Sequence, residues 1–462
     1  MSAVKAEHYA AYKDSGVEWL REVPGNWRTL RLKDVIEKLE SGVSVNASDE
    51  PATGNNIGVL KTSCVGKDSF IPDENKSVWP TELNRVSTPV RAGRIIVSRM
   101  NTPQLVGASA YVPKNYPNIF LPDRLWQTVF FSSVRLDSKW LSLLIGCKDF
   151  RYLLSTVATG TSPSMKNLGQ DKFLSISIPF PSHAEQTAIA AYLDTKTAQI
   201  DRQIDLLSQK ATQYGKLKQS LINETVTRGL DKAVPMKDSG VICIGLIPRH
   251  WKKLRLKDLG TIETSSIDKK TIENEKLVKL VNYSDIYGNL KKEIFNQVGY
   301  MIVSANAKQI KDKNLNQGDV LFTPSSETYE DIGVSSVVME NLIDTLYSYH
   351  ILRLRFHKKI ELNFKKYLFN NNYVQTYFSQ SAKGTTRKIL GLTQFNNLEL
   401  VFPPAYKEQK EIAAYLDHKT TQIDRIINVI GSQIDKLKDL RKALINDVVT
   451  GKIKVVSGGA AV

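Results

Sequence analysis

The stretch EQTAIAAYLDTKTAQIDRQI at residues 185 to 204 returns as EQKEIAAYLDHKTTQIDRII at 408 to 427, identical at fifteen of twenty positions with a constant offset of 223 in a chain of 462. A repeat at half the chain length constrains the fold more than any local propensity, because each copy has to occupy an equivalent place. Further matches follow in the same order. KDSGV at 13 to 17 returns at 237 to 241, Trp27 as Trp251, and LRLKD at 30 to 34 returns at 254 to 258. GRIIVS from Gly93 matches GDVLFT from Gly318, and ATGTS from Ala158 matches AKGTT from Ala382. The chain is one duplicated unit, not a short-period solenoid.

The repeated stretch reads as a helix. A β-like run, FLSISI at 173 to 178, ends in PFPSHAE, where Ser182 followed three residues later by Glu185 has the pattern of a capping box. The second copy follows FPPAYKE, with Ala405 at the cap position, so that end lacks a Ser contribution of roughly 1 kcal/mol. Gly229 and Gly451 stand where left-handed C-terminal caps belong. Between these ends Leu193, Ile200, Leu207, Tyr214 and Leu221 recur every seven residues, as do Leu416, Ile423, Ile430, Leu437 and Leu444. A second seam holds Thr197, Ile204 and Ala211 in one copy and Thr420, Ile427 and Ile434 in the other, interrupted at the same place by Lys218 and Arg441. An apolar stripe of this period has to bury itself against another helix, and the other copy is the obvious mate. The pattern predicts an intramolecular antiparallel coiled coil.

Core packing accounts for the seam but not for the polar residues that recur with it. These are Gln186, Asp194, Lys196, Gln199, Asp201 and Arg202, with their counterparts Gln409, Asp417, Lys419, Gln422, Asp424 and Arg425. Two equivalent exposed faces for two copies of one protein partner would explain them; solvated helix faces are the plain alternative.

Outside the helices, β-like runs such as RIIVS (94 to 98), QTVFFSSV (127 to 134), DVLFT (319 to 323) and HILRLRF (350 to 356) alternate with loops and with a helical segment over 138 to 158. This predicts two mixed α/β globules. Residues 44 to 91 and 266 to 317 show no convincing alignment with each other, so the framework repeats while part of each middle does not. Four loops carry hydroxyls, glycine and cations suited to phosphate contacts and base edges. SRMNTP offers Arg99, Asn101 and Thr102; TGTSPSMK offers Thr161, Ser162 and Lys166. Their counterparts offer Ser325 and Ser326 in TPSSETYED, and Thr385, Thr386, Arg387 and Lys388 in KGTTRK. Glycine and hydroxyl loops of this kind are also common turns.

A formal charge of +16 favours a polyanionic partner, with nucleic acid first. No run of 18 apolar residues exists and the first residues lack the apolar core of a signal peptide, so a cytoplasmic protein is expected. Cys64, Cys147 and Cys243 show neither disulfide nor zinc spacing and are expected to be buried apolar residues. The histidines His8, His183, His250, His350, His357 and His418 form no metal-spaced pair. An adenine methyltransferase would need a glycine-rich cofactor loop and an acidic or amide residue before Pro-Pro-Tyr; FPPAY lacks it. Asp123, Asp137 and Lys139 loosely resemble a nuclease metal site, without a counterpart in the second half.

The segments GRIIVSRMNTPQLVGASAYV, LPDRLWQTVF, ATGTS, PFPSHAEQTAIAAYLD and LINETVTRG resemble the DNA specificity subunit of type I restriction-modification systems. So do GDVLFTPSSETYEDIGVSSVV, SYHILRLRF, FPPAYKEQKEIAAYLD and ALINDVVTGKI in the second half, so the resemblance covers essentially the whole chain. It implies two α/β target-recognition domains separated by two long antiparallel helices with pseudo-two-fold symmetry. Each domain would read one half of a bipartite DNA site. Two methylation subunits using S-adenosylmethionine and two restriction subunits would join, and the chain itself would hold no catalytic centre and no metal. The expected division is 1–182, the helix 183–230, 231–405, the helix 406–455 and a flexible tail 456–462. Leu193 to Leu221 would span about 42 Å at roughly 1.5 Å per residue, commensurate with a DNA turn of about 34 to 36 Å. Two alternatives stay open: service to a fused methylation and cleavage enzyme, or a coiled-coil scaffold that reads no DNA.

Overall fold

In the computed structural model the described residues are 7 to 455 apart from 67, 68, 163 and 242, with the side chains of 161 and 162 also outside the description; so is the expected tail, 456–462. The chain forms two compact units, Met1–Leu207 with Ser432–Val462, and Ser208–Gly431. The expected division had set the long helices apart as segments of their own. Instead each unit takes in one end of each helix, because those ends carry the apolar residues that complete its core.

In the first unit a hairpin of Tyr12–Asp14 and Glu22–Pro24 opens the chain, its turn closed by Gly16 N donating to the Asp14 carboxylate at 2.9 Å. The main sheet has the strand order Ser109–Tyr111, Ile95–Ser98, Leu125–Phe130, Ile36–Ser41, all antiparallel. A second sheet has the order Asn75–Ser77, Gly58–Leu60, Tyr116–Phe120, Pro89–Val90, in which only the central pair is parallel. Trp27, Trp126, Trp140, Phe150 and Phe173 fill the core beside the main sheet. The helical segment expected over 138 to 158 is two helices, Ser138–Gly146 and Lys148–Val157, broken at Cys147, whose backbone is extended (φ −67°, ψ 157°). The run expected as a strand over 173 to 178 divides too. Gln170–Leu174 is a helical turn closed by the buried Phe173, and the strand is Ser177–Phe180.

The second unit repeats this plan. A hairpin of Met236–Asp238 and Leu246–Pro248 has the same turn, with Gly240 N on the Asp238 carboxylate at 2.9 Å. Its main sheet runs Gly260–Thr264, Leu352–Phe356, Val320–Phe322, Ser335–Val338, with Glu293–Ile294 added in parallel at the edge. Its second sheet runs Met301–Ala305, Lys276–Val281, Leu342–Tyr347, Asn314–Leu315, again with only the central pair parallel. The two middles that do not align in sequence therefore share one strand order. Sheet pairing is made by backbone groups and needs only a compatible apolar alternation, so it survives divergence that erases residue identity.

The long helices run over His183–Arg228 and Tyr406–Val449, 46 and 44 residues. In the first unit Ile189, Ala190 and Leu193 share a core with Ile445, Val448 and Val449; in the second, Ile222 and Val226 share one with Ile412, Ala413 and Leu416. The beginning of one helix thus meets the end of the other in each unit, which makes each pairing antiparallel. Of the expected seam, Leu193, Ile200, Leu416, Ile423 and Ile430 are buried, and Ile204, Leu207, Leu221, Ile427, Leu437 and Leu444 are half-buried. The cations that interrupt the second seam each meet an aspartate of the opposite helix: Lys218 to Asp424 at 2.7 Å, and Arg441 to Asp201 at 3.0 Å. Gly229 and Gly451 take left-handed conformations (φ 74° and 80°) just past the helix ends. At the start of the first helix Glu185 N donates to Ser182 Oγ at 3.4 Å, but the Glu185 carboxylate accepts from the Tyr9 hydroxyl at 2.6 Å, so half of the expected capping box is replaced by a tertiary contact. Cys64 and Cys147 are buried; Cys243 is exposed, contrary to expectation, in the hairpin turn.

Candidate nucleic-acid interface

In the first unit two loops far apart in sequence become one surface. Strand Met100–Asn101 pairs with Met165–Asn167, which pairs in turn with Thr159–Ser162, placing Lys166 opposite Asn101. Arg99, Asn101 and Thr102 are thereby brought beside Lys166; the side chains of Thr161 and Ser162 lie outside the described residues. Arg99 is anchored through its backbone, donating to Arg124 O at 3.0 Å and accepting from Leu168 N at 2.8 Å. Its guanidinium lies 5.7 Å from the Trp126 ring centre, with Nε buried and unpartnered. A guanidinium held over an indole by cation–π attraction can still offer N–H groups to a carboxylate, phosphate or base edge. Asn101 accepts from Thr102 N at 2.9 Å and donates to Ser98 Oγ at 3.3 Å, so its amide shapes the loop as well.

The second unit assembles its loops in the same manner. Ser325–Ser326 pairs with Lys388–Ile389, with Ser326 opposite Lys388. Thr385, Thr386 and Arg387 are exposed at the tip of this hairpin, whereas Ser326 is buried and accepts from Thr328 N at 3.3 Å. Lys388 ties the turn together, donating to Gly384 O at 2.9 Å and Thr385 O at 2.6 Å, and lies 4.4 Å from the Tyr329 ring centre. Gly384 is required here: with φ at 115°, a Cβ would stand 2.1 Å from Arg387 O.

Sequence reasoning missed the aromatic part of this surface. Tyr283 and Tyr287, on the helical turn Tyr283–Tyr287 in the middle that does not align, stack at 5.5 Å with planes 23° apart. Tyr283 donates to Ser325 O at 3.0 Å, joining this turn to the loop sheet. The Tyr349 and His350 rings lie 3.9 Å apart with planes inclined by 38°, and burial, with Arg387 and Lys269 nearby, holds His350 below its ordinary pKa. The sequence signal was available in the capping pair Asn282 and Asp285 around two tyrosines four apart, but nothing in the repeat pointed to it.

The recurring polar residues of the helices sort into two groups. Gln186 and Gln409 are not on an exposed face: both are fully buried. Gln186 accepts from Asp137 N at 2.9 Å and donates to Pro181 O at 3.0 Å; Gln409 accepts from Glu361 N at 2.8 Å and donates to Pro403 O at 2.9 Å. Each thus fastens a long helix to the cap residue of a globule helix. Asp194 pairs with Lys139, and Asp417 with Lys366 and the Tyr367 hydroxyl at 2.7 and 2.6 Å. Asp201 and Asp424 are taken by the opposite helix, as described. Gln199, Arg202, Gln422 and Arg425 stay exposed, and Lys196 and Lys419 lie half-exposed, each 5.9 Å from the tyrosine ring one turn before it.

The loose nuclease pattern dissolves in the same contacts. Asp137 caps Ser138–Gly146, accepting from Lys139 N and Trp140 N at 3.0 Å each, and Lys139 is the residue paired with Asp194. Among the described residues no group of three or more His, Cys, Asp or Glu is placed to hold a metal, and no helix is long and apolar enough to cross a membrane.

Two units of one topology, each with a loop sheet at equivalent positions and one end of each repeated helix, define a duplicated mixed α/β protein with two corresponding candidate interfaces. The chain belongs to the type I restriction modification DNA specificity domain family, whose model matches residues 24–212 and again 248–436. It is 23% identical over 447 residues to the type I restriction enzyme MjaVIII specificity subunit of Methanocaldococcus jannaschii, a match covering 94% of both chains. With the EcoEI specificity subunit of Escherichia coli it shares 27% identity over 174 residues, 37% of this chain and 29% of that one. Its fold is similar to that of a chain in a solved type I R-M system (TM-score 0.65, 16% identity, 92% of this chain and 98% of that one). It is also similar to the HsdS subunit of Thermoanaerobacter tengcongensis (TM-score 0.51, 16% identity, 93% and 98%).

Proposed function

We propose that this protein is the DNA-reading subunit of a type I restriction-modification complex, with each unit reading one half of a bipartite, asymmetric site. The observation that carries this is the recurrence of one loop pairing with different side chains. Asn101 and Lys166 face each other on it in the first unit, next to Arg99, and Ser326 and Lys388 do so in the second, next to the exposed Thr385, Thr386 and Arg387. A shared frame with unlike reading groups is what two different half-sites require. The charge of +16 supplies the general attraction to phosphate.

The continuous helices act in this reading as the spacer between the half-sites. Lys196, Gln199 and Arg202, with Lys419, Gln422 and Arg425, form twin faces for two methylation subunits, to which two restriction subunits are added. Methyl transfer from S-adenosylmethionine belongs to the methylation partner, and this chain contributes recognition without catalysis, in the cytoplasm.

The test is a footprint of the full chain, alone and with methylation subunits, on genomic DNA fragments. Two protected patches separated by an unread spacer are expected, with affinity falling steeply between 50 and 200 mM salt, by about 10³-fold or more if six or more phosphates are engaged. One uninterrupted patch, or binding indifferent to salt, refutes the reading.

A further inference from the structure

A carboxylate stands where a phosphate-binding surface would be expected to exclude one. Asp331 follows the loop strand Ser325–Ser326, and its Oδ2 accepts from the Tyr287 hydroxyl at 2.9 Å and the Thr328 hydroxyl at 3.2 Å. Tyr287 is held in turn by stacking on Tyr283, which donates to Ser325 O at 3.0 Å. The carboxylate is therefore fixed to the strand that carries the candidate loop. Tyr287 remains 43% exposed and Asp331 half-buried, so the pair is reachable from outside.

An anion in this place repels phosphate and lowers general affinity, so any contribution to recognition has to come from an acceptor oxygen meeting a donor. An ionised carboxylate accepts only, and the Tyr287 hydroxyl, its proton directed at Asp331, has lone pairs left that also only accept. In the major groove the donors are the exocyclic amino groups of cytosine N4 and adenine N6. Guanine and thymine present acceptors at the equivalent edge. A fixed acceptor pair therefore attracts the first two bases and repels the other two, which is discrimination by both signs of interaction.

We infer that Tyr287 and Asp331 form a base-reading pair of the second unit, selecting a base with an exocyclic amino group on its major-groove edge; this rests on the DNA-reading function proposed above. Among the described residues the first unit shows no such pair at the corresponding place: after its parallel strand Gly58–Leu60 the chain makes the turn Thr62–Val65, without a tyrosine. The pair acts on one half-site only, and the other serves as an internal control for folding.

The experiment is selection from a pool of randomised duplex DNA by the full chain as wild type, Asp331→Asn and Tyr287→Phe, read by sequencing. Wild type enriches two half-sites, one with cytosine or adenine at a position where Asp331→Asn lowers the preference about tenfold or more. Tyr287→Phe lowers it less at the same position, and the other half-site is unchanged in both. The enriched base itself tells cytosine from adenine. If both variants keep every base preference and alter only overall affinity, Asp331 serves only as a counter-charge to Lys292, on which its charge acts, and the inference is wrong. If wild type enriches no sequence at all, the DNA-reading function fails, and this pair with it.

Discussion

Lys218 donates to both carboxylate oxygens of Asp424, at 2.8 and 2.7 Å, and one repeat further along the chain the same contact is made between Arg441 and Asp201. The residues that interrupt the apolar seam are thus the ones that fix its register. An antiparallel pair with a purely aliphatic seam could slide by a heptad at little cost; a cation on one helix facing an aspartate on the other penalises the slip.

These pairs are half-exposed, so each contributes about 0.2 to 1 kcal/mol, and salt weakens them. Lys218→Asp alone lowers stability by about that amount or somewhat more through like-charge repulsion, and Lys218→Asp with Asp424→Lys restores most of the loss. Denaturant melts at low and high salt check this.

Gln186 and Gln409 give a larger effect. Replacing either with leucine leaves a backbone N–H, part-buried at Asp137 and buried at Glu361, without its acceptor, at a cost of about 1 to 3 kcal/mol that is larger for Gln409. Urea unfolding of each single variant measures the loss, and replacing Gln422, which is exposed, is expected to change stability by less than about 0.5 kcal/mol.

The two terminal glycines are not equivalent. A Cβ on Gly451 would meet Pro24 Cδ at 2.5 Å, whereas one on Gly229 finds its nearest neighbour, Trp251 Cζ2, at 3.4 Å. Both carry the strain of a positive φ, about 1 kcal/mol for an L side chain. Gly451→Ala is therefore the more destabilising of the pair, as thermal unfolding reads directly.

Lys365 is nearly buried in the second unit, with its ammonium donating to Gly318 O at 2.8 Å, and burial pushes its pKa down to about 8. Between pH 8 and the unfolded value near 10.5 the unfolded chain holds a proton that the folded one has lost, so this residue makes stability rise with pH across that window. Below pH 8 the cost of the buried charge is fully present. Lys365→Met removes it, and the variant's stability relative to wild type is expected to be highest near pH 7 and to decline toward pH 10. A constant difference contradicts the assignment.

The long helices were legible in the sequence because a seven-residue stripe has few alternatives, and their antiparallel pairing in each unit follows from where Leu193 and Val448, or Ile222 and Leu416, are buried together. Framework strands such as Ile95–Ser98 and Val320–Phe322 were legible as short apolar runs that recur in both halves. The role of Gln186 was not: a polar residue recurring on a helix looks alike whether it faces solvent or accepts from a backbone amide of the globule, and only the position of Asp137 decides. Nor was the shared topology of the middles, since backbone pairing leaves no residue signature. Of the candidate interface, Arg99 and Arg387 could be named from chemistry, but Tyr283, Tyr287 and Asp331 come together only through folding.

The proposed function requires two unlike surfaces to read two parts of one DNA site. The most direct measurement maps methylated adenines across the genome in cells with and without this chain. Loss of methylation at a single two-part motif with a fixed gap is the predicted result; an unchanged methylation map, or loss at a continuous motif without a gap, contradicts it.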